Sequence, residues 1–244
     1  MENREAVIEP LLLALDTATD ALSCVVARGT EVIGEAVSHD PRPHARLVAV
    51  CMQQALAAAG VSSKELQVVV VGAGPGSYTG LRIGVAAAKG FCHALGIPLI
   101  GASSLRGLAE LARALPDAPP FGSIVPMIDA RRMEVYCCAY SPAGETLWRE
   151  RAHILTQDAF AGLLGPVWAV GRAAHKLRQL GDIPGLIITS ELDSHARGML
   201  PEALEAWASQ RFADLANFDP TYLKDVNIGR SGTFEPGAAD PRSA

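Results

Sequence analysis

The stretch Gly72–Gly84, GAGPGSYTGLRIG, decides how the rest of the chain is read. It ends a β-branched run, LQVVVVGAG, of the kind that forms a strand buried on both faces. It then runs into a segment from about Thr79 to Leu95 with apolar residues at helical spacing. Gly74, Gly76 and Gly80 permit positive φ and close approach, Pro75 stiffens the turn, and Ser77 and Thr79 are placed to cap the first helical turn. A helix N-terminus preceded by glycines offers free N–H groups to an anion, which makes Gly74, Gly76 and Ser77 candidate phosphate contacts. Both common phosphate-loop patterns fail, however. Leu81 follows Gly80 where Lys-Ser/Thr is needed, and position 77 is serine where a dinucleotide loop keeps its third glycine.

The helix beyond suggests another use for the same glycines. Leu81, Val85, Ala88, Cys92 and Leu95 form a narrow seam, and Gly84, Ala87 and either Gly90 or Ala94 beside it are small enough for a second helix to approach. The seam is either an ordinary core contact or an interface with a partner. On the second reading, a charge at Val85 or bulk at Gly84 blocks partner binding without unfolding the chain.

Upstream, LLLAL (11–15) ends on Asp16 and is followed by ALSCVVARG and EVIGEAVS, which reads as three strands joined by tight turns. A helix follows, started by Pro43 and ended by Gly60, with Leu47, Val48, Cys51, Met52, Ala55 and Ala58 on one face. Downstream, IPLIGAS is a buried strand and SLRGLAELARAL a helix. The Pro/Ala-rich PDAPPFGS (116–123) is a candidate linker. Beyond it, IVPMIDA, EVYCCAYS, ETLWRE and VWAVG read as strands, and helices are expected near 156–164, 172–180 and 200–212. The halves share an outline, which predicts two similar α/β lobes over 1–115 and 124–227, the last helix packing back on the first lobe, with a disordered Gly/Pro/Ala-rich tail at 228–244. One such layout is the actin-like fold, in which each lobe's opening hairpin holds phosphate. Asp16 and Thr17 at the first such turn, and Asp129 at the second, are the matching candidates. Ala18 stands where actin-like kinases keep glycine, which weakens the nucleotide reading.

The chain has 244 residues, 49% of them hydrophobic, and a formal net charge of −5, a poor balance for gripping nucleic acid unaided. Its five cysteines form no CxxC and its six histidines no HxxxH or HExxH, so neither a disulfide framework nor a zinc site is expected. No apolar run reaches the roughly 20 residues of a membrane helix, and the polar MENREAVIEP is no signal peptide, so a cytoplasmic protein is expected.

LLALDTATDALSCVV, GAGPGSYTGLRIGVAAAKG, IPLIGASSL and MIDARRMEVY together resemble the TsaB (YeaZ) family, from about Leu11 to Lys224. Met133 departs from the glycine expected in that last motif. The resemblance implies an actin-like (ASKHA) two-lobed α/β fold with mixed sheets flanked by helices. It also implies a non-catalytic subunit needed to place threonylcarbamoyl on adenosine 37 of tRNAs reading codons that begin with A. The catalytic metal pair of the sister TsaD transferases falls on Ser104 and Leu108, which cannot replace it. The implied partners are a TsaD-type transferase, a TsaE-type ATPase and a second copy, with tRNA met only within the complex. Pairing would use the helices at 44–59 and 79–95, with Leu47, Cys51, Ala55, Leu81, Gly84, Val85, Ala88 and Cys92 as interface candidates. No cofactor is firmly implied; ATP or ADP at a subunit junction is the one to weigh. The alternative is an actin-like ATPase or phosphotransferase built on Asp16 and Asp129.

Overall fold

In the computed structural model, which describes residues 9–40, 44–163 and 165–224, the opening run Leu11–Asp16 (β1) is wholly buried because both of its faces are covered. It pairs antiparallel with Leu22–Arg28 (β2), which pairs antiparallel with Glu31–Ser38 (β3). On its other side it pairs parallel with Val68–Gly74 (β4), and β4 pairs parallel with Leu99–Ser103 (β5). The order is β3-β2-β1-β4-β5. Strand alternation sends Leu11, Leu13, Leu15, Val69 and Val71 to one face, under His44–Ala59 (α1) and Tyr78–Leu95 (α2). Leu12, Ala14, Val68 and Val70 go to the other, against Met199, which ends a short 3-10 turn, and Leu200, Ala203 and Ala206 of the last helix, Leu200–Ala208 (α4).

Ser123–Asp129 (β6), Glu134–Tyr140 (β7), Thr146–Ile154 (β8), Val167–Val170 (β9) and Leu186–Thr189 (β10) repeat the plan. β6-β7 and β7-β8 pair antiparallel, β6-β9 and β9-β10 parallel, in the order β10-β9-β6-β7-β8. Each sheet therefore opens on a hairpin and continues with two parallel crossovers. Ser104–Arg113 (α3) bridges them: Leu105, Leu108, Ala109 and Ala112 bury against Ile124, Ile128, Cys138, Tyr140, Trp168 and Val170 of the second sheet.

The structure departs from the sequence expectations in the second half. The helix expected at 156–164 is a series of turns, with Ala159 N–H donating to Thr156, Ala161 to Asp158 and Leu163 to Phe160; residue 164 lies outside the described residues. Ala159 and Phe160 are buried, so these turns follow tertiary packing rather than helical period. Arg172–Leu180 is a 3-10 helix. β10 was not expected; it is short and only half-buried. α4 stops at Ala208, short of 212, because Gln210 turns left-handed (φ 53°). The Arg211 N–H then closes onto the Ala206 carbonyl at 2.8 Å and Gln210 N–H onto that of Trp207 at 3.0 Å. Beyond α4 the chain straps back over the first sheet, Thr221 N–H donating to Ala73 at 2.8 Å, and delivers Tyr222 and Lys224 to the β6–β7 turn. The tail expected at 228–244 lies outside the described residues.

Candidate functional site

The turn between β1 and β2 closes directly onto the start of α2. Ser77 N–H donates to the Ala18 carbonyl at 2.8 Å, Gly80 N–H to the Ser77 hydroxyl at 3.2 Å, and Leu81 N–H to the Ser77 carbonyl at 2.8 Å. Glycines make this approach possible. A Cβ on Gly76 would stand 2.4 Å from the Ala18 carbonyl oxygen, one on Gly80 2.1 Å from that of Thr17, and one on Gly84 2.3 Å from Thr17 Oγ1. The glycines of the opening stretch thus hold the helix against the chain's own loop, and the N–H groups of Ser77, Gly80 and Leu81 are already taken. Gly74 is buried beneath the Thr221 carbonyl, with φ at 112°.

Asp16 is 1% exposed. Its carboxylate accepts from Ala18 N–H at 3.0 Å, from the Ser104 hydroxyl at 3.2 Å and from the Ser194 hydroxyl. Three separate parts of the chain meet on it: the end of β1, the start of α3 and the segment leading to α4. Thr17 is equally buried, its hydroxyl without a partner among the described residues.

A cavity of about 600 Å³ lies between the β1–β2 and β6–β7 turns. Gly76, Ser77 and Asp129 line it; Asp16, Thr17 and Gly74 do not. The structure therefore splits the six candidate phosphate contacts into a lining trio and a buried trio. Burial pushes the Asp129 carboxyl up, but the Lys176 ammonium at 2.6 Å and the Arg131 N–H at 2.5 Å outweigh it and hold the carboxyl below its usual range. Lys176 is almost fully buried and also donates to the Glu134 carbonyl at 2.9 Å, so Asp129 is its counter-ion. Sequence reasoning missed Lys176, Ser194 and the role of Ser104 toward Asp16. Single residues on separate elements carry no pattern. Ser103 caps α3, accepting from Arg106 N–H at 2.9 Å.

The helix seam faces inward. Leu81, Ala88, Cys92 and Ala55 are fully buried, Cys51 and Val85 nearly so, and Leu47 is half-buried against the same core. Gly84 lies beneath Thr17. These eight residues pack inside the chain, Leu81 in the interlobe core and the rest in the first lobe, so a charge at Val85 or bulk at Gly84 strikes that core, correcting the expectation that such variants leave it folded. The outward faces are different residues: Ala49, Val50 (47% exposed), Gln53 and Ala57 on α1, and Ala86, Gly90 and Ala94 on α2. From Leu47 to Ala59 there is no charged residue at all. Solvated helix faces ordinarily carry charge.

The positions of the transferase metal pair do not fit a metal. The Ser104 hydroxyl is engaged by Asp16, and Leu108, 1% exposed, packs in the interlobe core. Among the described residues no three His, Cys, Asp or Glu side chains gather as a metal site, and no helix is long and apolar enough to cross a membrane.

A second polar junction ties the lobes together. The Ser103 hydroxyl donates to Glu150 on β8, and its N–H donates to Glu202 on α4 at 3.0 Å. Burial pushes both carboxyls above the usual 4.5. The folded chain therefore holds these protons more tightly than the unfolded chain. Ionising them costs stability at neutral pH, and the cost is relieved as pH falls through the raised folded values toward 4.5. Glu150→Gln keeps an acceptor for Ser103 and removes one charge. It is expected to raise the melting temperature at neutral pH and to gain less than wild type on acidification to about pH 5. A lower melting temperature at neutral pH would refute this account.

Two five-stranded sheets of one order and one sense, each opening on a hairpin that faces a common cleft, define an actin-like two-lobed protein. Residues 31–231 match the family model described as TsaD, tRNA N6-adenosine threonylcarbamoyltransferase. The chain is 30% identical over 225 residues to the tRNA threonylcarbamoyladenosine biosynthesis protein TsaB of Escherichia coli, across 88% of this chain and 94% of that protein. The solved structure of YeaZ from Pseudomonas aeruginosa superposes with a TM-score of 0.74 at 27% identity, covering 88% of this chain and all of that one. The chain belongs to the TsaB (YeaZ) family. An uncharacterized protein of Mycobacterium tuberculosis is 40% identical over 131 residues; this match spans 53% of the chain and 58% of the mycobacterial protein.

Proposed function

We propose that the chain is a non-catalytic subunit of tRNA threonylcarbamoyladenosine synthesis that binds and supports a TsaD-type transferase acting on adenosine 37 of tRNAs reading codons that begin with A. The observation that carries this is the E. coli TsaB relative, aligned over 94% of its length. Two features of the fold support it. The sister family's metal positions hold Ser104 and Leu108, both committed to internal contacts. The outward faces of α1 and α2 offer a smooth surface without charge from Leu47 to Ala59 and at Ala86, Gly90 and Ala94, with exposed Arg46 and Arg82 one turn before Val50 and Ala86. The two helices run parallel on one side of the first sheet, because each follows a strand parallel to β1. Small side chains at Ala86, Gly90 and Ala94 let a partner helix approach closely.

The same face serves a second copy when the transferase is absent. A TsaE-type ATPase joins the assembly, which is cytoplasmic and meets tRNA as a whole. Nucleotide at a subunit junction draws on Gly76, Ser77 and Asp129, which line the cleft cavity. Nothing favours an independent ATPase, since Asp16 does not reach that cavity.

Mass spectrometry of nucleosides from bulk tRNA after depletion of this protein tests the proposal. Threonylcarbamoyladenosine is expected to fall to near zero and to return with the wild-type gene. An unchanged level overturns it.

A further inference from the structure

We propose that a second cavity, at the mouth of the cleft, receives one unpaired nucleotide of an RNA strand. Its volume is about 480 Å³, and its walls include Tyr78, Tyr136, Tyr222, Arg131, Arg132 and Lys224. That is the size range of small-molecule pockets and suits a single nucleotide. The wall chemistry is a set of aromatic faces beside cations, the combination that holds a splayed base and its phosphate.

The aromatic part is fixed before any ligand arrives. Tyr78 and Tyr222 have ring centroids 4.9 Å apart, the Arg82 guanidinium lies 4.3 Å over the Tyr78 ring, and Arg82 Nε donates to the Tyr222 hydroxyl at 3.1 Å. The cationic part is held by an unusual backbone. Arg131 and Arg132 both adopt left-handed conformations, φ 71° and 50°, which non-glycine residues rarely take. The Asp129 carboxylate fixes this turn through the Arg131 N–H, and buried Lys176 fixes Asp129. Both guanidiniums are exposed and make no ion pair among the described residues, whereas Lys224 is paired with Glu134. Two unpaired arginines on a strained, braced turn are ready phosphate ligands.

A free nucleoside triphosphate is the weaker fit. Ser77 and Thr79 at the start of α2, and Asp129, line the neighbouring cavity of about 600 Å³ and not this one. What remains at the cleft mouth is stacking and point charge, suited to a strand whose other nucleotides are held elsewhere. The net charge of −5 means that this contact is weak in the isolated chain. The identification of the strand as tRNA rests on the assembly reading above; the binding chemistry does not.

The test is fluorescence anisotropy of a fluorescein-labelled single-stranded oligoadenylate RNA on the full chain at low salt. A duplex RNA of equal length and unlabelled ATP serve as competitors. Single-stranded RNA is expected to bind and to resist displacement by excess ATP. Tyr222→Ala is expected to weaken binding about tenfold. The double variant Arg131→Ala/Arg132→Ala is expected to weaken it at least as much and to lower the salt slope by about 1 to 2. Melting curves verify that both variants are folded. Absence of binding, displacement by ATP, preference for the duplex, or wild-type affinity in both variants each overturns the inference. Capture of the transferase, measured on the same variants, reports separately on the assembly reading.

Discussion

Gly90→Arg is expected to abolish capture of a TsaD-type transferase, by about 100-fold or more, while the chain melts no lower than wild type. Gly90 lies on the outward face of α2, and a Cβ placed there meets nothing within 4 Å. Intramolecularly the side chain has open space, and replacing a mid-helix glycine removes a backbone penalty of roughly 1 kcal/mol. Intermolecularly it places a long cation where the proposed partner helix must come close. The same change six residues earlier has the opposite signature. Gly84→Arg drives a side chain into Thr17 and is expected to cost about 3 kcal/mol or more in stability. Pull-down of the transferase together with thermal melting separates the two. Undiminished capture by Gly90→Arg would remove α2 from the interface.

Asp16→Ala carries the other large effect, a loss of about 3 to 5 kcal/mol of stability. The Asp16 carboxylate gathers the Ala18 N–H and the hydroxyls of Ser104 and Ser194 in a fully buried position. Alanine leaves all three donors without their acceptor and severs the link between β1, α3 and the segment before α4. Asp16→Asn keeps the shape and one acceptor oxygen and is expected to lose about half as much. Denaturant unfolding measures both. If Asp16→Ala unfolds within about 1 kcal/mol of wild type, the carboxylate is not a structural knot and its role at the cleft must be reconsidered.

The legibility of the chain followed the length and regularity of its elements. β1 to β5 and α1 to α3 were readable because their apolar periods are regular: VVVV between two covered faces, the Leu81–Cys92 seam. The second half was less readable. LIIT of β10 is four residues at a half-buried edge, and the turns after Thr156 are held by Ala159 and Phe160 in the core rather than by helical bonds. At the candidate site, Gly76, Ser77 and Asp129 were legible as turn residues beside elements whose order puts them at one cleft. Lys176, which fixes Asp129, and Ser194, which fixes Asp16, were not, since each reaches its partner across the fold.

The sequence by itself determined the two-lobed plan and the family, because strand period, helix seam and the GPGSYTGLRIG stretch are local patterns that survive without neighbours. Only the tertiary structure decided which side of each helix is free. Period locates an apolar stripe but not what covers it. The stripe through Val85 and Cys92 is covered by the chain's own sheet, and that leaves Ala86, Gly90 and Ala94 facing outward. The same holds for Asp16: a carboxylate at a strand end reads as a ligand until the fold brings two serines to it and closes the space between them.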